Sequence, residues 1–80
     1  MIIQLFQEKK TKKTVALTIE FSDQASNLSV EVQPGLMHRY DENLNLIRIE
    51  IKDLSLINLI LEKLDEVIEK PGIKIIRKVA

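Results

Sequence analysis

Four neighbouring residues have side chains suited to acid–base chemistry. His38, Tyr40, Asp41 and Glu42 fall within EVQPGLMHRYDENLNLIRIEI, Glu31 to Ile51, and His38 and Tyr40 are the only His and Tyr of the chain. A histidine oriented by a carboxylate is a common general base. The spacing works against that use here. Residues two apart on a strand share a face, so His38 and Tyr40 point the same way. Asp41 and Glu42 belong to the turn beyond. The sequence also lacks a Cys nucleophile, a G-x-S-x-G elbow, a phosphate-binding loop and a His-x-x-x-His pair. His38, Arg39 and Tyr40 are therefore read as strand decoration and Asp41 as the start of a turn. No catalytic residue is assigned, and a non-enzymatic chain is expected.

Metal chemistry has no better basis. Asp41, Glu42 and Asn43 match a calcium loop in composition but not in its D-x-D-x-D-G spacing. One His and no Cys leave a structural zinc without its usual ligands. No metal and no cofactor are expected. Nucleic-acid binding has two lysine clusters to draw on. Lys9, Lys10, Lys12 and Lys13 form one, and Lys70, Lys74, Arg77 and Lys78 form the other. Brought together, they would make a salt-sensitive phosphate-binding patch. Against this, twelve basic and twelve acidic residues cancel, and no stacking aromatic accompanies the lysines. Nucleic-acid binding is the alternative reading.

The elements that must carry these residues follow from hydrophobic period. Residues 1–7 read as a strand with Ile3 and Leu5 on one face. Glu8 to Thr14 holds no apolar residue and reads as a loop. Thr14 to Phe21 alternates, with Val15, Leu17, Ile19 and Phe21 on one face and Phe21 in the core. Leu28 to Val32 alternates again, with Leu28, Val30 and Val32 inward, and is expected to pair with the preceding strand as a hairpin. Pro34-Gly35 marks a tight turn. Leu36 to Tyr40 is a short strand. The Asp41-Glu42-Asn43 turn has Asn43 as its best left-handed candidate. Leu46 to Lys52 is a strand with Ile47, Ile49 and Ile51 inward.

The period then changes. Ile57, Ile60, Leu61, Leu64 and Ile68 lie on one stripe of an α-helix over about 54–70. Asp53 or Ser55 can cap its start, and Pro71-Gly72 closes it. A last strand covers about 73–79. The expectation is a single α+β domain, residues 1–80: a mostly antiparallel sheet of five to six strands with one helix packed on one face.

By Ile51 the chain resembles a family of small, uncharacterised prokaryotic proteins. The matching residues are Glu31, Pro34, Gly35, Tyr40, Asp41, Ile49, Glu50 and Ile51, and the resemblance covers roughly Thr14 to Asp53. In that family the turn reads Tyr-Asp-x-x-Gly and the next strand ends Gly-Ile-Glu-Ile. Here Leu44 and Arg48 stand at the two glycine positions, and Lys12 and Lys13 replace acidic residues usual before the first strong strand. Some members look like one half of small toxin–antitoxin-type gene pairs. The resemblance thus implies protein–protein binding, with an antitoxin-like role as one form of it.

The helix gives a second pointer in that direction. Beyond its core stripe it carries Leu54, Leu56, Leu59 and Val67, more apolar circumference than a helix covering a sheet needs. These four are the interface candidates. An 80-residue domain has a small core, and without cysteines self-association is the remaining support. The sequence reading is a self-associating or protein-binding module, expected to be a homodimer that binds through the helix's second apolar face or a sheet edge. No apolar run reaches the roughly 18 residues that span a bilayer, and no secretion signal opens the chain, so a soluble, cytoplasmic protein is expected.

Overall fold

A computed structural model describes residues 1–64, 66 and 70–79. Six strands and a helix follow in the order β1 (Ile2–Gln7), β2 (Thr14–Glu20), β3 (Leu28–Gln33), β4 (Leu36–Tyr40), β5 (Leu46–Ile51), α1 (Leu54–Glu62) and β6 (Lys74–Val79). All six strands form one sheet in the order β3-β4-β5-β2-β1-β6. Every pairing is antiparallel except β1 with β6. The α+β class holds, with one helix and a C-terminal strand.

One expectation about pairing is corrected. β2 and β3 do not form a hairpin; β5 and β4 lie between them. β5 offers Ile47, Ile49 and Ile51 in alternation, and the structure gives it the interior place beside β2, where Ile49 faces Ile19 and Ile51 faces Leu17. Three inter-strand steps are about 14 Å, within the ~20 Å reach of the six residues 22–27. That segment therefore crosses the end of the sheet without strain of length. Its arrival is fixed by the Asn27 N–H, which donates to the Tyr40 carbonyl at 2.8 Å.

Register sorts the side chains into rows. On the helix side one row runs Val30, His38, Ile49, Ile19, Ile3, Ile75 from β3 to β6. The next runs Leu36, Ile51, Leu17, Leu5, Arg77 from β4 to β6. The buried cluster comes from the middle of these rows and the helix: Ile3, Leu5, Leu17, Ile51, Ile57 and Leu64. Ile47 is also buried, apart from that cluster. The opposite face is largely polar. It holds Gln4, Thr18, Glu20, Arg39, Arg48 and Glu50, with Phe6, Met37 and Ile76 among them.

The helix begins where the sequence period changes. Of the two capping candidates Asp53 acts: its carboxylate accepts from the Ser55 N–H at 2.9 Å and the Leu56 N–H at 3.2 Å. This satisfies donors that have no partner inside the helix. The regular helix is Leu54–Glu62, inside the expected span, and Lys63 caps it. Leu64 beyond the cap is buried, as its place in the stripe implies. Ile68 and Val67 lie outside the described residues.

Two turns explain two short motifs. Pro34-Gly35 joins β3 to β4, and Gly35 has φ +81°. A Cβ there would stand 2.9 Å from the Asp53 nitrogen, so both backbone angle and space demand glycine. The Gly35 carbonyl accepts from the Lys52 N–H at 2.7 Å, which ties the hairpin tip to the strand–helix junction. At the second turn the left-handed residue is Leu44, φ +63°, and not Asn43. Asp41 causes this. Its carboxylate accepts from the backbone N–H groups of Asn43 and Asn45, both at 2.9 Å, and the Leu44 N–H donates to the Asp41 carbonyl. The turn then closes with residue 44 in the reversing position.

Candidate interaction surface

The row from Ile3 to Val30 loses its cover as it leaves the helix. α1 lies over β2. Its buried and half-buried residues Ile57, Leu56, Ile60 and Leu61 pack on the cluster built from β1, β2 and β5. Six strands at ~4.8 Å spacing make a sheet about 24 Å wide, whereas a helix with its side chains is about 10–12 Å across. The β3–β4 end is left uncovered.

That end carries apolar side chains. On β3, Leu28, Val30 and Val32 are 42–52% exposed; Phe21, which follows β2 and donates its N–H to the Ile47 carbonyl, and Leu46 at the start of β5 are exposed as well. The expectation that Phe21, Leu28, Val30 and Val32 are core is thus corrected. Register does place Leu28 and Val30 on the helix side, but no element sits above them. All six residues of β3 are exposed, and β3 is an edge strand.

The four interface candidates on the helix separate. Leu54 and Leu59 are 57% and 54% exposed. Leu56 is half-buried and packs against the core cluster. Val67 lies outside the described residues. Leu54 also lines a groove of about 600 Å³ with Val15, Leu61, Lys12 and Lys13.

The acid–base residues are engaged in other work. His38 and Tyr40 do share a face, with the Tyr40 hydroxyl 3.5 Å from His38 Nδ1 and the rings tilted at 59°. Asp41 points its carboxylate into its own turn, where it also receives the Asn45 side-chain amide at 3.2 Å. These donors, led by Asn45, hold its carboxyl below its ordinary pKa. Glu42 is exposed at the turn. Asp41 therefore orients its own loop and not His38. Among the described residues no group of three or more His, Cys, Asp or Glu side chains gathers as a metal site.

The lysine clusters meet only in part. Parallel pairing of β6 with β1 sets Val79 beside Gln7, which brings Arg77 and Lys78 to the end of β1 that enters the Glu8–Lys13 loop. Lys74 pairs with Ile2 at the far end. Strand alternation also sends Arg77 and Lys78 to opposite faces. Lys78 spreads over the Phe6 ring, its ammonium 5.9 Å from the centroid. Lys70, Lys74, Arg77 and Lys78 are exposed, as are Lys9, Lys10, Lys12 and Lys13.

The polar face contains the structure's ion pairs. Arg39 and Arg48 stand opposite each other on β4 and β5, a repulsive placement relieved by Glu50 on the diagonal from Arg39 and by Glu20 directly opposite Arg48 on β2. Arg39 Nε donates to Glu50 at 2.6 Å, and Arg48 lies 3.9 Å from Glu20. The Arg39 hydrogen bond holds the Glu50 carboxyl below its ordinary range and raises the guanidinium in turn. Arg39 Nη1 also donates to the Ser29 hydroxyl at 2.7 Å, reaching the edge strand.

A sheet edge was among the surfaces expected from the sequence, but the exposure of Leu28, Val30 and Val32 was not, although a signal was available. One helix cannot cover six strands, so some alternating strand had to expose its apolar face. Among the described residues no helix is long and apolar enough to cross a membrane. No protein-family model, curated protein or solved structure matches the chain.

Proposed function

We propose that this chain is a non-enzymatic, self-associating protein-interaction module that works through the apolar β3–β4 end of its sheet. The observation that supports this most is the exposure of Leu28, Val30 and Val32 together on the edge strand of a domain with a small core. Monomeric proteins rarely leave a contiguous apolar patch without a use for it. Each such side chain gains about 1.5–3 kcal/mol on full burial. A small partner protein, as in an antitoxin-like pair, is a further form the contact takes.

Sedimentation equilibrium tests the reading. A mass above 9.2 kDa, rising with concentration through the micromolar range, is expected. A single 9.2 kDa species up to hundreds of micromolar sinks it. The alternative, nucleic-acid binding, has one observation in its favour: β6 delivers Arg77 and Lys78 to the lysine loop. Titration with random DNA and RNA at low salt discriminates. Binding that falls steeply with salt and is lost in Lys10→Ala/Lys13→Ala favours that alternative.

A further inference from the structure

The two edges of the sheet are built differently. β6 carries Lys74, Arg77 and Lys78, and charged residues of this kind, lysine above all, are a device that keeps edge strands from pairing. β3 reads Leu28-Ser29-Val30-Glu31-Val32-Gln33, with no basic residue and no proline. Its edge is open, and every one of its side chains is exposed. Its one charge is Glu31 and its bulge lies at the Val32 end, so Leu28–Glu31 remains a regular open edge, a template for another strand.

The pattern on β3 is also symmetric. Apolar and polar residues alternate about Val30, so the strand reads alike from either direction. A two-fold axis perpendicular to the sheet makes neighbouring copies of β3 antiparallel and keeps both helices on one side. In such pairing directly opposite residues share a face, so the axis must pass through a residue pair of like position. Centred on Val30, Val30 meets its own copy, Leu28 meets Val32, and Ser29 meets Glu31. Centred on Glu31, two carboxylates would stand opposite each other. Centred on Ser29, Glu31 would meet Asn27 and Val32 would pass beyond the strand.

Charge selects the first of these. Ser29 already receives Arg39 Nη1 at 2.7 Å, so Arg39 lies just behind it on β4. In the Val30-centred register each Glu31 comes opposite Ser29 of the other copy, one strand from that guanidinium. Two strand spacings are about 10 Å, within the joint reach of an extended Glu and Arg. The bulge between Glu31 and Gln33 falls at the outermost pair and leaves Ser29, Val30 and Glu31 regular.

We infer that a second copy of this chain pairs with β3 edge to edge, antiparallel and centred on Val30, to form one continuous sheet. This rests on the self-association reading above and names its surface. On the helix side Leu28 and Val30 of both copies form one apolar strip. On the polar face two Glu31–Arg39 contacts flank the axis.

The test compares single substitutions by sedimentation equilibrium, with far-UV circular dichroism as the check on folding. Val30→Lys puts two like charges at the axis and raises the dimer dissociation constant at least about tenfold. Glu31→Lys faces Arg39 of the other copy and weakens the dimer about three- to tenfold. Val79→Lys on the β6 edge leaves it unchanged. In the wild type, amide exchange at Leu28–Glu31 slows as concentration rises. If the wild type is a dimer but Val30→Lys and Glu31→Lys dimerise as well as it does, or β3 exchange ignores concentration, the edge inference is overturned while self-association stands. A monomeric wild type overturns both. Should Val30→Lys fail to fold, Glu31→Lys and the wild-type exchange decide alone.

Discussion

The two ends of one sheet use the same alternating pattern to opposite effect. At the β1–β2 end, Ile3, Leu5 and Leu17 lie under α1 and are buried. At the β3–β4 end, Leu28 and Val30 occupy the same face in continuous rows and are exposed. The side chains are of one chemical kind. The difference lies in how far one helix reaches, and alternation alone therefore specifies a face but not its burial. What lies beyond the helix stays exposed in the single chain.

The sharpest way to break this contrast is truncation at both ends. Leu17→Ala removes a fully buried side chain beneath α1 and should cost about 2–5 kcal/mol. Val30→Ala, measured by urea denaturation at a concentration where the chain is monomeric, should cost under about 1 kcal/mol. Equal costs at the two ends would mean that Val30 is covered in the monomer.

Gly35 joins the ends, because the hairpin tip of the open end docks on the strand–helix junction of the covered one. Gly35→Ala forces a Cβ against Asp53 at positive φ and should lose about 2 kcal/mol. The same denaturation curve checks it. A smaller gain is expected within the open end itself. Leu44 is 67% exposed and left-handed, so Leu44→Gly gives up no core contact and relieves the backbone. It should stabilise by about 0.5–1 kcal/mol and raise the melting temperature by several degrees.

Acid should act on the open end through small electrostatic effects. The folded pKa values of Glu50 and Asp41 lie below their unfolded ones. Their contribution is therefore present above the ordinary carboxylate range, near pH 4, and is lost as pH falls through the folded values. Stability should decline below about pH 4 and not above it. In an NMR titration, Arg39→Gln should move the Glu50 midpoint back up, since the Arg39 hydrogen bond is its largest cause.

Much of the fold was legible because period is a local property. The strands, the change of period at Asp53, the Asp53 cap and the Ile57–Leu64 stripe all follow from neighbours in sequence. Strand order was not legible in the same way. The expected pairing of β2 with β3 was wrong, since β5 takes the place beside β2, and nothing local in either strand shows that. Asn43 was the natural left-handed candidate by residue type, but the hydrogen bonds of Asp41 set the turn one residue later. The surface was half legible. Leu54 and Leu59 stood out from helix geometry. The β3 end required knowing how wide the sheet is against how wide the helix is.

Pairing of β3 with a second copy is read most simply from the concentration dependence of the backbone amide NMR spectrum. Resonances of Leu28–Glu31, with Arg39 behind them, should shift as the chain is concentrated from micromolar to millimolar, while those of β6 stay fixed. Shifts confined to α1 or β6, or no shifts at all, would contradict it.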